Sequence, residues 1–225
     1  MRTRTVTALG AVLAAAVLIP LSVRIEPTPP KARPGTAGAA IPADQTSFDP
    51  DRTVREMWGA RVLPYLEAKA GPFADVRREI ASDPDAAGRK FGHRQEAEGA
   101  PWTIVTKAEG RIVAANTASR AATVDVDTDG DGKADLAVQI GPVIKGTALR
   151  DALDFVSFGS FTNQIDYARL AKSMNAYVDD TVLSKLPRDG LAGRKVALLG
   201  AFTLERPDRP PVVTPAELTL GDASP

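Results

Sequence analysis

The chain of 225 residues carries 28 basic and 28 acidic side chains, a formal net charge of zero, and no cysteine. This balance gives no electrostatic reason to expect a nucleic acid or an anionic surface as partner. The absence of cysteine excludes disulfides, thiol chemistry and lipid attachment at a cysteine. A domain of this chain must therefore be stabilised by its core alone.

The first 25 residues have the form of an export signal. Arg2 and Arg4 precede an apolar run of 18 residues, 6–23, and a charged start before an apolar run is typical of such signals. The run is near the lower limit for crossing a bilayer, roughly 17 residues, and the arginines would hold the N-terminus in the cytoplasm. Residues 22–26, Ser-Val-Arg-Ile-Glu, do not form the small-residue pattern that signal peptidase prefers.

We therefore expect residues 1–25 to be an uncleaved signal-anchor, with a cleaved signal as the alternative. This predicts a single-pass protein of the cytoplasmic membrane, attached through residues 6–23. The C-terminal domain would lie in the periplasm or another extracytoplasmic space. Residues 26–46 contain five prolines among glycines and alanines and are predicted to be a linker.

The remaining chain, residues 47–221, is predicted to be one extracytoplasmic domain with a helical part, 47–92. Asp49 before Pro50 is typical of a helix start, and apolar residues at three- and four-residue spacing continue the helix to about residue 68. Two shorter helices are expected, over 73–81 and from Asp83 to a point before Gly92.

The second part, residues 101–221, changes to the alternation of β-strands. Predicted strands cover 102–115, 121–126, 134–140, 195–204 and 212–220, and predicted helices cover 148–155 and 164–186. Gly110 indicates a bulge or bend in the first strand. This order predicts an α+β fold, an OB-fold-like five-stranded barrel with an N-terminal helical segment and helices inserted between strands three and four. An open α+β sheet covered by the same helices is the alternative.

The turn between the second and third predicted strands carries carboxylates at alternate positions. Calcium takes six or more oxygen ligands, and this turn resembles the calcium loops of dockerins and FG-GAP repeats. It departs from an EF-hand because Val138 stands where the bidentate glutamate would be. The alternative is a metal-free turn, which Asp-Gly pairs favour. The predicted ligands of a structural Ca²⁺ are Asp127, Asp129, Asp131, Asp135 and the carbonyl of Lys133.

A second group of polar residues surrounds the inserted helices. Asn175 shares an apolar stripe with Ile165, so it is expected to face the core and to need hydrogen-bond partners. The group would form either a polar pocket or a network that locks the helices onto the sheet. The network is favoured because buried networks commonly fix a unique packing. The residues are Lys145, Arg150, Asp151, Asn163, Gln164 and Asn175.

Three stretches carry a family resemblance. They are GPVIKGTALRDALDFVSF at 141–158, NQIDYARLAKSMN at 163–175, and LAGRKVALLGAFTL with VVTPAELTL at 191–204 and 212–220. On these stretches the chain resembles the bacterial predicted periplasmic lipoproteins catalogued as domain of unknown function 2291. Members are often encoded beside sugar ABC transporters, so the resemblance implies such a transporter, or its solute, as partner. Many members carry a lipobox cysteine; this chain has none, and a protein anchor would replace the lipid.

No catalytic residues are predicted. The strands 121–126 and 134–140 lack the interleaved aromatic and basic residues of OB-folds that bind single strands, which argues against nucleic-acid binding. We expect a non-enzymatic accessory or binding protein. One alternative is an enzyme acting on envelope carbohydrate, which would need paired carboxylates such as Asp151, Asp154 or Asp166. The other is a purely structural envelope protein.

Overall fold

The computed structural model describes residues 48–206 and 209–223. The predicted signal-anchor, 1–25, and the predicted linker, 26–46, lie outside the described residues. Within the described ranges, no helix combines the length and the apolar character needed to span a membrane.

The N-terminal part folds into helices with capped starts. Asp49 and Asp83 cap the first and fourth helices as predicted. The Asp49 carboxylate accepts a hydrogen bond from the Arg52 amide at 3.0 Å. The Asp83 carboxylate accepts one from the Asp85 amide at 2.9 Å. The helices are α1 (Pro50–Met57), α2 (Leu63–Lys69), α3 (Phe73–Ser82) and α4 (Pro84–Phe91), with a π-helical turn, Trp58–Val62, between α1 and α2.

The π turn divides the segment that was predicted to be one helix. The spacing of the buried residues along this segment explains why the turn is there. Val54, Trp58, Val62 and Leu66 are all buried and lie four residues apart. A four-residue spacing drifts by about 40° per step around a helix of 3.6 residues per turn. The wider π turn offsets this drift, so all four side chains stay on the core face.

Seven strands form one mixed sheet. They are β1 (Gly71–Pro72), β2 (Gly92–His93), β3 (Thr103–Asn116), β4 (Thr123–Asp127), β5 (Leu136–Gln139), β6 (Arg194–Thr203) and β7 (Val212–Ala223). Pairing follows the order β1-β3-β4-β5-β7-β6; β6 also pairs with β3, and β2 pairs with β3. The β1–β3 and β5–β7 pairs are parallel and the others antiparallel. The five longer strands therefore pair in a closed circuit, from β3 through β4, β5, β7 and β6 back to β3.

Gly110 lies where β3 changes partner. The next residue, Arg111, pairs with Asp127 of β4 and with Lys195 of β6. A Cβ atom at position 110 would lie 2.3 Å from the carbonyl oxygen of Asp127, so the close approach of β4 requires glycine. The irregularity of β3 falls between Ile112 and 114, two residues after the position predicted for it.

The segment between β5 and β6 carries α5 (Ala148–Asp151) and α6 (Gln164–Thr181), with 3₁₀ turns at Phe158–Ser160 and Leu183–Lys185. Both helices are shorter than predicted. α6 packs on α1 through a face that buries Leu170, Met174 and Val178. The apolar stripe predicted to begin at Ile165 is therefore wrong in its first turn, where Ile165 is 64% exposed.

β3 is covered on both faces. Consecutive side chains of a strand point to opposite faces, so Ile104 joins one buried cluster, with α3 and α4, and Val105 joins another, with α1 and α6. Phe202 of β6 belongs to the first cluster and Leu199 to the second. The run 103–106 is buried throughout for this reason.

Candidate functional site: a cleft beside the acidic loop

A cleft of about 980 Å³ opens beside α3 and the ends of β4, β5 and β7. Its size is at the upper end of the roughly 300–1,000 Å³ typical of small-molecule sites. Apolar side chains from the first buried cluster, Phe73, Ile80 and Phe202, form part of its wall. Polar and charged residues complete it, among them Arg77, Thr123, Asp135, Gln139, Lys145, Glu205, Arg206, Arg209 and Thr214.

Gln139 organises one side of the cleft. Its buried side-chain amide donates to the carbonyl of Lys145 at 3.0 Å and to the hydroxyl of Thr214 at 2.8 Å. Its side-chain oxygen accepts a hydrogen bond from the Lys145 backbone amide at 2.7 Å. Two of these bonds fix the backbone of the loop that carries Lys145, whose side chain remains exposed, and the third links β5 to β7 through Thr214. Sequence reasoning missed Gln139 and Thr214; the available signal was a polar residue within each apolar strand.

The acidic loop joins β4 to β5, and its backbone is held by hydrogen bonds to the carboxylate of Asp127. One carboxylate oxygen accepts the amide hydrogen of Gly130 at 2.7 Å and that of Asp129 at 3.2 Å, and the other accepts that of Gly132 at 2.8 Å. Gly130 and Gly132 both have positive φ, 85° and 83°, where glycine is favoured. The Gly130 and Gly132 amides hold the pKa of Asp127 below its usual range, against the opposing effect of burial.

Asp135 connects this loop to the cleft. One oxygen accepts the amide and hydroxyl hydrogens of Thr128, at 2.8 and 2.6 Å, and the other is bonded to Arg77 of α3. Burial acts to raise the pKa of Asp135, but the hydrogen bonds from Thr128 and the charge of Arg77 outweigh it and lower this pKa. Because Asp135 and Arg77 also line the cleft, the acidic loop forms part of the cleft wall.

The structure brings three of the four predicted carboxylates together. Asp127, Asp129 and Asp135 each offer an oxygen within 4.8 Å of the others. Asp131 instead accepts hydrogen bonds from the amide and the ammonium of Lys133, at 2.8 and 3.2 Å. Three carboxylates are chemically suited to a hard cation. Arg77, bonded to Asp135 and 3.8 Å from Asp129, supplies a positive charge at the same place.

Arg150 joins α5 to α6. Its guanidinium, almost completely buried, donates to Asp151 at 2.8 and 2.6 Å and to the carbonyl of Tyr167 at 3.1 Å. It also stacks over the Tyr167 ring, 3.6 Å from the ring centroid. Thr147 donates a further hydrogen bond to Asp151. Burial raises the pKa of the Tyr167 hydroxyl, partly offset by Arg150.

The other predicted polar residues lie apart from one another. Asn163 caps α6, since its side chain accepts the Asp166 amide hydrogen at 2.9 Å. Gln164, the first residue of that helix, is exposed. Asn175 is half-buried and donates to the carbonyl of Gly146 at 3.0 Å. Of the six residues, Lys145 alone lines the cleft.

These features define a mixed α+β protein with OB-type strand order. A crystal structure of an OB-fold protein from Thermotoga maritima is similar to the chain, with a TM-score of 0.61 and 22% sequence identity. The match covers 77% of this chain and 98% of that one. It shows the fold alone, and it confirms the predicted OB-type fold at that level.

The family is established by sequence. The family model described as predicted periplasmic lipoprotein, domain of unknown function 2291, matches residues 13–219, and the chain belongs to this family. The predicted family membership is therefore confirmed, and the family's description agrees with the expected extracytoplasmic location. Comparison with curated proteins gives no match.

Proposed function

We propose that this protein is a membrane-tethered extracytoplasmic accessory protein that binds a solute in the cleft. The observation that carries the proposal is the cleft itself, about 980 Å³ with an apolar wall and polar groups beside it. Sugars present both C–H faces and hydroxyls, which fit such a lining. A sugar ABC transporter as partner rests on the family resemblance alone.

The strand order supports a more specific form of this proposal. We infer that β3, β4, β5, β7 and β6 close into a five-stranded OB-type barrel, because the pairing returns to β3. Phe73, Ile80 and Phe202 belong to the first buried cluster and also line the cleft. The cleft would then lie at the mouth of the barrel, where small-molecule sites are common.

Two of the three carboxylates considered for an envelope carbohydrate enzyme form ion pairs with arginines. Asp151 is held by Arg150, and Asp166 lies 3.4 Å from Arg169. Glycoside hydrolysis needs two carboxylates that face each other across the scissile bond. The arrangement therefore favours the binding function. A purely structural envelope protein would need no ligand in the cleft, and the titration below separates it from a binding protein.

The cleft is tested by titrating the full-length protein with glucose, ribose and maltose in a calorimeter. Ala81 lines the cleft and is exposed on α3, so Ala81→Trp should obstruct the cleft without disturbing the core. Ala74→Trp, at another exposed position of α3, is the matched control. We expect binding that is lost in Ala81→Trp and retained in Ala74→Trp. No binding of any of the three sugars, or equal binding by both variants, would contradict the proposal.

We also propose residues 6–23 as the membrane anchor. The support is the apolar run and the absence of a cysteine for lipid attachment. The protein should stay with membranes in alkaline carbonate and be released by detergent. A mature N-terminus beyond residue 25 would show that the signal is cleaved instead.

Calcium is proposed as a structural ion of the acidic loop, in competition with Arg77. The support is the closeness of the Asp127, Asp129 and Asp135 oxygens. Calcium should raise Tm in wild type and in Asp131→Asn but not in Asp129→Asn, and Arg77→Ala should increase the effect. Extracellular calcium modules have dissociation constants of roughly 0.1–1 mM, so no shift at about 10 mM would refute the site.

A further inference from the structure

The charged side chains of the cleft are not balanced in number. Basic and acidic residues are equal over the whole chain, 28 of each, but the described lining of the cleft has more cations than carboxylates. Arg77 and Asp135 are bonded to each other and compensate locally. The other charged residues of the lining are Lys145, Arg206, Arg209 and Glu205. An excess of positive charge in a cleft raises the local concentration of anions.

Hydrogen bonds to β5 bring the two loops that carry these cations to the same side of the cleft. The carbonyl of Pro211, at the end of the β6–β7 loop with Arg206 and Arg209, accepts the amide hydrogen of Ala137 at 2.9 Å. Gln139, two residues further along β5, holds the backbone of Lys145. At the rise of a β-strand these two attachment points are about 7 Å apart, so both loops border one part of the cleft.

The three cations are available to a ligand. Their side chains are exposed, and within the ranges that the structure describes they take part in none of the ion pairs. Arg206 and Arg209 stay close together, because the Arg209 amide donates to the Arg206 carbonyl at 3.3 Å. A guanidinium group binds a carboxylate or a phosphate through two parallel hydrogen bonds, and a lysine ammonium acts as a point charge.

The apolar wall indicates that the anion is part of a larger molecule. Phe73, Ile80 and Phe202 line the same cleft as the cations. A simple inorganic ion has no apolar surface to place against these side chains, whereas a sugar ring presents its C–H face. The two kinds of lining together match a molecule with a ring and a charged group.

We propose that the solute of the cleft is an anionic sugar, a sugar acid or a sugar phosphate, whose charged group is held by Lys145, Arg206 and Arg209. The inference rests on the proposed solute-binding function and names the class of solute. Carboxylate and phosphate offer the same chemistry to these cations, an oxyanion that accepts several hydrogen bonds. The titrations below distinguish the two sources.

The test is a calorimetric titration of the full-length protein with glucose, glucuronate and glucose 6-phosphate, which share one type of sugar ring. We expect at least one anionic sugar to bind about ten-fold more tightly than glucose, because a hydrogen bond to a charged group contributes about this factor. The tighter of the two identifies the charged group. Raising the salt from about 0.1 to about 1 M should reduce the preference, because salt screens exposed charges.

A double variant, Lys145→Gln with Arg209→Gln, tests the cations themselves. The readout is the ratio of the affinities for the anionic sugar and for glucose within each protein, so that a general loss of affinity does not affect it. We expect this ratio to fall toward one in the double variant. Lys172→Gln with Arg55→Gln makes the same change of charge at exposed positions of α6 and α1 outside the cleft lining, and it should keep the wild-type ratio.

Each failure has its own signature. Equal affinity for the three sugars would overturn this inference and leave solute binding intact. An unchanged ratio in Lys145→Gln with Arg209→Gln would also overturn it, because the preference would then arise elsewhere. Inorganic phosphate that binds as tightly as glucose 6-phosphate would overturn it as well, because the site would then recognise a bare ion. Absence of binding by glucose and by both anionic sugars would refute the proposed function itself.

Discussion

Two arginines on the inserted helices make ion pairs in very different surroundings. The side chains of Arg150 and Asp151 are 9% and 18% exposed, whereas that of Arg169, which pairs with Asp166, is 60% exposed. Removal of one partner of a buried pair leaves an uncompensated charge, which commonly costs about 3–5 kcal/mol. An exposed pair contributes about 0–1 kcal/mol.

Arg150→Met should therefore lower the free energy of unfolding by about 2–4 kcal/mol. This loss is somewhat smaller than that of a fully buried pair because Asp151 keeps some contact with water. Arg169→Met should lower it by less than about 1 kcal/mol. Urea titration of both variants measures the difference. Equal losses would show that the buried contacts of Arg150, with Asp151 and with Tyr167 of α6, stabilise the fold no more than the exposed Arg169 pair does.

The acidic loop should make stability depend on pH. The pKa values of Asp127 and Asp135 are both lowered in the folded protein. Hydrogen bonds from backbone amides lower the pKa of Asp127. Burial acts to raise the pKa of Asp135, but hydrogen bonds from Thr128 and the charge of Arg77 outweigh it. A lowered folded pKa gives stability that is complete above the unfolded pKa, about 3.9, and lost as pH falls through the folded pKa.

We expect Tm to fall steeply below about pH 4. Asp135→Asn should have a lower Tm at neutral pH and a shallower decline in acid. Asp131→Asn, at the exposed part of the loop, is the control and should follow the wild-type curve. Thermal melts from pH 2 to 7 check this, and an unchanged slope in Asp135→Asn would contradict it.

At the scale of the element, α6 depends on its N-cap. Asn163→Ala removes the acceptor for the Asp166 amide and should lower the free energy of unfolding by about 1 kcal/mol. Gln164→Ala changes the adjacent exposed residue and should have an effect within about 0.5 kcal/mol. The same urea titration measures both. A similar loss in the two variants would mean that the cap contributes nothing.

The elements show which parts of this fold are readable from sequence. The helix starts at Asp49 and Asp83 are predictable from sequence because a cap bonds to amides within its own first turn. The buried face of α6 could not be predicted from sequence, because packing against α1 determines which side of the helix is covered. The π turn was also missed, although the four-residue spacing from Val54 to Leu66 indicated it.

The candidate site divides in the same way. The acidic loop was recognisable because its carboxylates lie within nine consecutive positions, 127–135. The cleft was not recognisable from sequence, because the side chains that line it come from distant parts of the chain. Gln139 and Thr214 are 75 residues apart, and Arg77 and Asp135 are 58 apart. Sequence periodicity indicates that a strand is buried but not which distant residue pairs with it.

At the scale of the whole described domain, β3 connects the two buried clusters. It pairs with β6 along 103–111 and with β4 from Arg111 onward. Its two faces contribute Ile104 to one cluster and Val105 to the other, and both side chains are fully buried. Opening of β3 would therefore break pairing on both sides and expose both clusters at once.

This arrangement predicts the order of amide hydrogen exchange in the full-length protein. Amides of β3 in 103–109 should exchange only by global unfolding, because no smaller opening frees them. For a domain of ordinary stability, at least about 5 kcal/mol, this means exchange at least a thousand-fold slower than in an open chain. The loop 94–101, which is largely exposed, should exchange close to the rate of an open chain. Mass spectrometry of pepsin fragments after timed labelling measures both segments. Exchange in 103–109 as fast as in 94–101 would show that β3 opens locally, and that the two clusters are stabilised independently rather than through a shared strand.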